Sequence, residues 1–352
     1  MALLTPARLR QGFLLFVVLS LVAYLGVLLY GRHTDEFLPT LERIQWHWVL
    51  IGVGLASMDW LGGGARLWVL VRQIHEKPPF WPMVIAGGMG AWAGYLTPGM
   101  TGASPMQVYV MKRAGVPVPK SLMAVLMSFI ATVLFFVIGG SVAVLFGAGK
   151  ALGPHGDVLG LSLLDLFKGR IGMFSVLGAL MLAVLVAPNP ISHAMHWITT
   201  ALGERSRRIA SRLQALRSGI DQAHDSMVAF NTPHGWLALF WAVIISAPSH
   251  ANKLLAGYVA LRAIGIEVPF IDLLLIQTLV TSILYFAPTP GAAGFAELLS
   301  TMVMSLYLPR ELNAVYTLLW KCILQWFTLA FGFVVFSSWV RQGLKGIEAN
   351  GS

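Results

Sequence analysis

The sequence of 352 residues has one cysteine, Cys322, and little charge. A lone cysteine closes no intrachain disulfide and supplies no cysteine zinc cluster. Charged residues make up 11% of the chain, against about a quarter in ordinary soluble domains. Enzyme signatures are missing too. There is no G-x-S-x-G, no HExxH, no Walker sequence, and no G-x-G-x-x-G opening a helix after a strand. No acidic pair has metal-ligand spacing, and His193 and His196 lack carboxylate partners in sequence. These absences argue against an enzyme and against a bound cofactor. They leave coupling to a proton or another ion open.

Apolar residues are what the chain has in abundance. They account for 57% of it, and the mean hydropathy is +0.74. Runs long enough to cross a bilayer recur along the sequence. Only helices and closed barrels satisfy their backbone in lipid, and the runs lack the period-2 alternation of a barrel. The expected fold is therefore an all-α polytopic membrane protein. About six full spans are expected, over residues 13–30, 46–70, 121–147, 171–187, 235–262 and 311–340. Two further apolar regions, 83–113 and 270–307, each break at a Pro-Gly motif. The organisation reads as a first span and external loop (1–45), a membrane repeat (46–187), a basic cytoplasmic connector (188–234), a second repeat (235–340) and a tail (341–352).

The net charge of +9 sits in a few short loops, as the positive-inside rule expects, rather than in a nucleic-acid-binding surface. Arg8 and Arg10, Arg72 and Lys77, Lys112, Arg113 and Lys120, the cluster Arg205, Arg207, Arg208, Arg212 and Arg217, and Arg341 with Lys345 all fall on one side. Both termini are thus expected in the cytoplasm, in a bacterial inner membrane. The 13–30 run is long and no small-x-small cleavage site follows it, so an uncleaved span is expected there rather than a signal peptide. Trp46, Trp48, Trp236 and Trp241 lie near span ends, as interface anchors do. The connector reads as a solvated amphipathic segment, with headgroup contact through its arginines as the alternative.

The sequence Thr97-Pro98-Gly99-Met100-Thr101-Gly102 reads TPGxxG, and the pattern returns as Thr289-Pro290-Gly291-Ala292-Ala293-Gly294. Proline breaks a helix and glycine permits a tight reversal. Broken backbone at membrane depth is tolerated only in protein or beside an aqueous cavity. The helix that starts after such a break presents free N–H groups and a positive dipole end. Residues 83–97 reach about 22 Å as a helix, short of a hydrocarbon core of about 30 Å. The region 83–113 is accordingly expected to be a re-entrant hairpin from the cytoplasm. The arms of 270–307 are longer, so that region either re-enters from outside or crosses twice. With both hairpins re-entrant, the repeat is inverted, a known pointer to a transporter site.

Several charges fall inside the apolar runs, where they are expensive. Asp59 and Arg66 lie two helical turns apart. Either Arg66 meets a lipid phosphate while Asp59 orients it, or the two form a structural pair, or Arg66 snorkels to the interface. Lys253 follows His250 and Asn252 after a kinking Pro248 and needs a carboxylate, a phosphate or a lowered pKa. Glu297, one turn past the second TPG, suits a helix N-terminus and pairs with Lys253 or Lys321, carries a proton, or meets a cationic headgroup. Lys321 and Gln325 either line a cavity or, for the lysine, snorkel. Gln107 and Tyr109 are weaker candidates. The expected substrate-binding set is Asp59, Arg66, Pro98, Gly99, Gly102, Gln107, Lys253, Pro290, Gly291, Gly294, Glu297 and Lys321.

The stretch from Thr97 to Gly115 (TPGMTGASPMQVYVMKRAG) and the block Ala287-Pro-Thr-Pro-Gly-Ala-Ala-Gly-Phe-Ala-Glu297 resemble the two signatures of the lysylphosphatidylglycerol synthase transmembrane, or flippase-like, family. In many members an acidic residue or glutamine soon follows the first glycine; here Ala103 and Ser104 precede Pro105. Larger members fuse this part to a soluble aminoacyl-transferase domain, and little sequence follows Val340 here. The resemblance therefore implies a stand-alone member that moves lipids rather than synthesising them. On that reading the chain is a flippase or scramblase for an anionic, aminoacylated or polyprenyl-linked lipid. Its partners are then membrane lipids, with a homo-oligomer or a separate lipid-synthesising enzyme as further partners. The rival readings are an intramembrane lipid-modifying transferase and a non-catalytic subunit of a lipid-modifying complex.

Overall fold

The computed structural model describes residues 6–30, 37–143, 157–158, 161–187, isolated positions between 189 and 225, and 227–350 apart from 286 and 306. The basic cluster Arg205–Arg217 lies outside the described residues. The architecture is all-α, with a two-residue strand pair (Asp157–Val158 with Leu161–Ser162) in the 148–170 loop. The helices are α1 (Pro6–Tyr30), α2 (Phe37–Glu42), α3 (Trp46–Val71), α4 (Phe80–Tyr95), α5 (Ala103–Arg113), α6 (Val118–Ala143) and α7 (Leu163–Val186) in the first part. They continue as α8 (Pro233–Ser249), α9 (Ala251–Ala263), α10 (Phe270–Leu284), α11 (Phe295–Met304), α12 (Asn313–Lys321) and α13 (Phe327–Asn350). A 3₁₀ turn, Arg310–Leu312, precedes α12, and a π turn, Cys322–Trp326, joins it to α13.

Among the described residues, four stretches are long and apolar enough to cross a membrane: Leu9–Leu29, Trp46–Val71, Val118–Val142 and Arg310–Trp339. The 171–187 run lies within α7, a helix of 24 residues. The expected single span over 235–262 is instead two helices, α8 and α9, meeting at His250. Pro248 explains the break: it donates no N–H and its ring crowds the carbonyl four residues back. The four hairpin arms have 16 and 11 residues (α4, α5) and 15 and 10 residues (α10, α11). At about 1.5 Å per residue none reaches about 30 Å, the thickness of a hydrocarbon core.

Helix α3 is the hub, packed against α4, α6, α8 and α9. The approach to α4 is set by glycine. A Cβ at Gly64 would sit 2.2 Å from Val84 Cα, and one at Gly87 2.6 Å from Gly64 N. Without side chains the two backbones touch, as small residues allow in membrane helices. Gly64→Leu is expected to cost about 3 kcal/mol, because backbone rather than a movable side chain stands in the way. A melt of the purified protein in detergent measures it; an unchanged midpoint would refute the close packing.

Candidate functional site

The two TPG turns share one backbone conformation. Gly99 and Met100 have φ of 56° and 55°, and Gly291 and Ala292 both have φ of 55°. In each motif an N–H at the fourth position donates to the threonine carbonyl (Met100 to Thr97, 3.2 Å; Ala292 to Thr289, 3.1 Å). The next N–H donates to the proline carbonyl (3.3 and 3.0 Å). A type II turn thus runs into a primed turn, which puts a non-glycine residue in the left-handed region at the same place twice. Such residues are uncommon and mark positions that the surroundings enforce. The tips then meet: Pro98 and Pro290 form an antiparallel bridge.

Beside the tips lies a buried carboxylate, Asp59 of α3, 5% exposed. Its Oδ1 accepts from Lys253 Nζ. Its Oδ2 accepts from Asn252 Nδ2 (2.9 Å), the Tyr95 hydroxyl (3.1 Å) and the Thr328 hydroxyl (3.2 Å). The chain break at His250 makes this possible, since it places Asn252 and Lys253 in the first turn of α9, turned toward α3. The Leu324 carbonyl, inside the π turn, accepts from both Tyr95 (3.1 Å) and Asn252 (3.3 Å). π turns inside helices often mark functional positions. This one ties the last long helix to the first hairpin and to α9.

Lys253, and not Arg66, is therefore the ion partner of Asp59. The alternative in which Asp59 orients or pairs Arg66 does not hold. Arg66 Nη1 instead donates to the hydroxyls of Thr132 (2.7 Å) and Ser246 (3.1 Å), and its Nε is buried without a partner. Next to it, His250 Nδ1 donates to the Ser246 carbonyl at 2.8 Å, and the ring stacks on Phe135 and meets Phe136 edge-on.

Asp59, Arg66, Gly99, Gln107 and Lys253 line one cavity of about 780 Å³. Its other walls are apolar and come largely from α6 and α7, including Phe129, Phe136, Met173, Leu177 and Leu180. A smaller pocket of about 40 Å³ lies between the tips, bordered by Tyr95, Gly99, Lys253, Tyr285, Gly291 and Gln325. Gln325 Nε2 donates to the Gly291 carbonyl at 2.8 Å and so holds the second tip. Gly102 is a buried residue at the start of α5, where its N–H donates to the Thr97 hydroxyl at 2.8 Å. Tyr109 lies away from this centre, edge-on to Trp339.

Glu297 and Lys321 form a second buried pair, 3.1 Å apart, and neither borders the large cavity. Glu297 Oε2 accepts from the N–H of Gly294 at 2.9 Å, which satisfies one free N–H at the start of α11. Lys321 also lies over the Phe16 ring of α1 at 5.3 Å. The amino end of α11 is thus already occupied by its own carboxylate, whereas the first turn of α5, with Ala103 and Ser104, opens on the cavity. Glu297→Ala removes a cap and leaves a buried ammonium alone, an expected loss of about 3–5 kcal/mol. A detergent melt of this variant beside Glu297→Ala/Lys321→Met reads it: the double variant should be the more stable of the two.

Sequence patterns did not point to Tyr95, Thr328, Thr132, Ser246 or Tyr285. Hydroxyls inside apolar helices commonly bond the carbonyl four residues back, as Ser246 does to Ala242 (2.8 Å). Only position separates such residues from working ones. Tyr95, two residues before the first TPG, carried the one usable signal.

Comparison with curated proteins finds no match. A family model described as the lysylphosphatidylglycerol synthase TM region matches residues 12–332, nearly all of the described membrane helices. The match carries a membrane role that concerns lipids, and both TPG tips, the Asp59 network and the cavity lie inside it. The chain belongs to the lysylphosphatidylglycerol synthase transmembrane family.

Proposed function

We propose that the protein is a lipid transporter, a flippase or scramblase that moves a lipid between leaflets of a bacterial inner membrane. The observation that carries this reading is the cavity of about 780 Å³, lined by Asp59, Arg66 and Lys253 as well as by apolar side chains, set beside two broken hairpins whose tips touch. A lipid has the same division. Its headgroup needs the polar end while its chains stay against apolar walls or in the bilayer. Short arms that end in paired turns favour two re-entrant hairpins, and an antiparallel meeting of equal turns fits an inverted repeat. Access then alternates as one repeat rocks against the other. The loop charges set both termini in the cytoplasm. Uphill movement would draw on an ion or proton gradient, for which Asp59 and Glu297 supply carboxylates at depth.

The test is reconstitution in liposomes with a leaflet-specific readout, such as dithionite quenching of a tail-labelled lipid. The proposal expects protein-dependent loss of signal from the inner leaflet for at least one lipid class. Rates equal to empty vesicles for every anionic, zwitterionic, aminoacylated and polyprenyl lipid tried would refute it.

A further inference from the structure

The cavity has an uneven charge balance, and that balance selects a headgroup. Its lining holds two permanent cations, Arg66 and Lys253, and one carboxylate, Asp59. An ionised carboxylate offers about four lone-pair positions. In Asp59, Oδ1 accepts from Lys253, and Oδ2 accepts from Asn252, Tyr95 and Thr328. The charge of Asp59 is thus already paired with Lys253, and no lining carboxylate is left without its own cation to meet an ammonium group brought in by a ligand.

Arg66 stands in the opposite condition. Its bonds go to two neutral hydroxyls, its Nε has no partner, and among the described residues no carboxylate pairs with it. A buried cation in that state is costly unless an anion joins it. The guanidinium fork matches the paired oxygens of a phosphate. Gln107, on the same wall, forms no hydrogen bond to the described residues, and its side chain fills the space at Gly90, where a Cβ would come within 2.5 Å of Gln107 Cγ. Its amide stands ready to donate to a second phosphate or glycerol oxygen.

From this we infer that the cavity selects a lipid with a single net negative charge, a phosphodiester held by Arg66 with Gln107, and discriminates against one whose headgroup amine cancels or reverses that charge. The inference rests on the transport reading for its biological sense, but binding alone tests it. The full chain in phosphatidylcholine nanodiscs is offered equal amounts of phosphatidylglycerol, phosphatidylethanolamine and lysyl-phosphatidylglycerol with identical acyl chains, and retained lipid is counted by native mass spectrometry. Phosphatidylglycerol should be retained at least ~10-fold over the other two, a factor that corresponds to about 1.4 kcal/mol for leaving the headgroup ammonium without a carboxylate. Arg66→Gln should remove that preference, and Arg66→Lys should keep part of it. If Arg66→Gln fails to fold, Gln107→Leu reads the same discrimination, with an expected fall in phosphatidylglycerol retention only. Equal retention of the three lipids, or preference for the lysyl form, overturns the inference. Selective binding without translocation would instead count against the transport reading and leave the headgroup assignment standing.

Discussion

Asp59→Asn should destabilise the protein by about 3–5 kcal/mol, because it leaves the Lys253 ammonium buried without its counter-charge. Lys253 is 7% exposed, so little water reaches it in the folded state to make good the loss. The asparagine oxygen still accepts from Tyr95, Asn252 or Thr328, which confines the change to charge rather than shape. Lys253→Met should lose a comparable amount, since it strands the carboxylate. The double variant Asp59→Asn/Lys253→Met should lose much less than the sum, because neither partner is then stranded. Thermal unfolding of the four proteins in one detergent measures the cycle. Additive losses would mean that the two residues act independently, against the geometry of the network.

The network also explains how the site is held. Asp59 comes from α3, Tyr95 from the first hairpin, Asn252 and Lys253 from α9, and Thr328 from the start of α13. One carboxylate thereby fixes four segments around the hairpin tips. Interactions to a charged group at this depth are strong because little water competes for them. The large cavity begins at the edge of this network, which Asp59 and Lys253 both border.

Much of this was legible in the sequence, for particular reasons. Proline and glycine act locally, so TPGxxG announced a turn at Thr97 and again at Thr289, and the structure gives both the same φ signs. Charges in apolar runs are expensive, so Asp59, Arg66, Lys253, Glu297 and Lys321 stood out. Partner choice was less legible, because it depends on which helices become neighbours. Asp59 and Arg66 share a helix face, yet Asp59 binds Lys253, a residue 194 positions away. For Glu297 the sequence left Lys253 and Lys321 as alternative partners, and the structure pairs it with Lys321. The break at His250 lies two residues after Pro248, a local signal, but the neighbour it packs on was not legible: Ser249 sits against Gly62, where a Cβ would meet Ser249 Cα at 2.7 Å. The π turn at Cys322–Trp326 had no sequence signal, since its Leu324 carbonyl is satisfied by side chains from other helices.

The account turns on two hairpin tips that touch beside the cavity and move against each other during transport. A cysteine pair at Pro98 and Pro290 tests both parts. Bridge partners in an antiparallel pair have Cα atoms about 4.5–5.5 Å apart, a span a disulfide accepts. Cys322 is replaced by serine so that the introduced pair is the only thiol source. The account predicts that mild oxidation cross-links the pair nearly completely, stops lipid translocation in liposomes, and that reduction restores it. A pair that fails to cross-link, or a cross-linked protein that translocates lipid at the reduced rate, would contradict it.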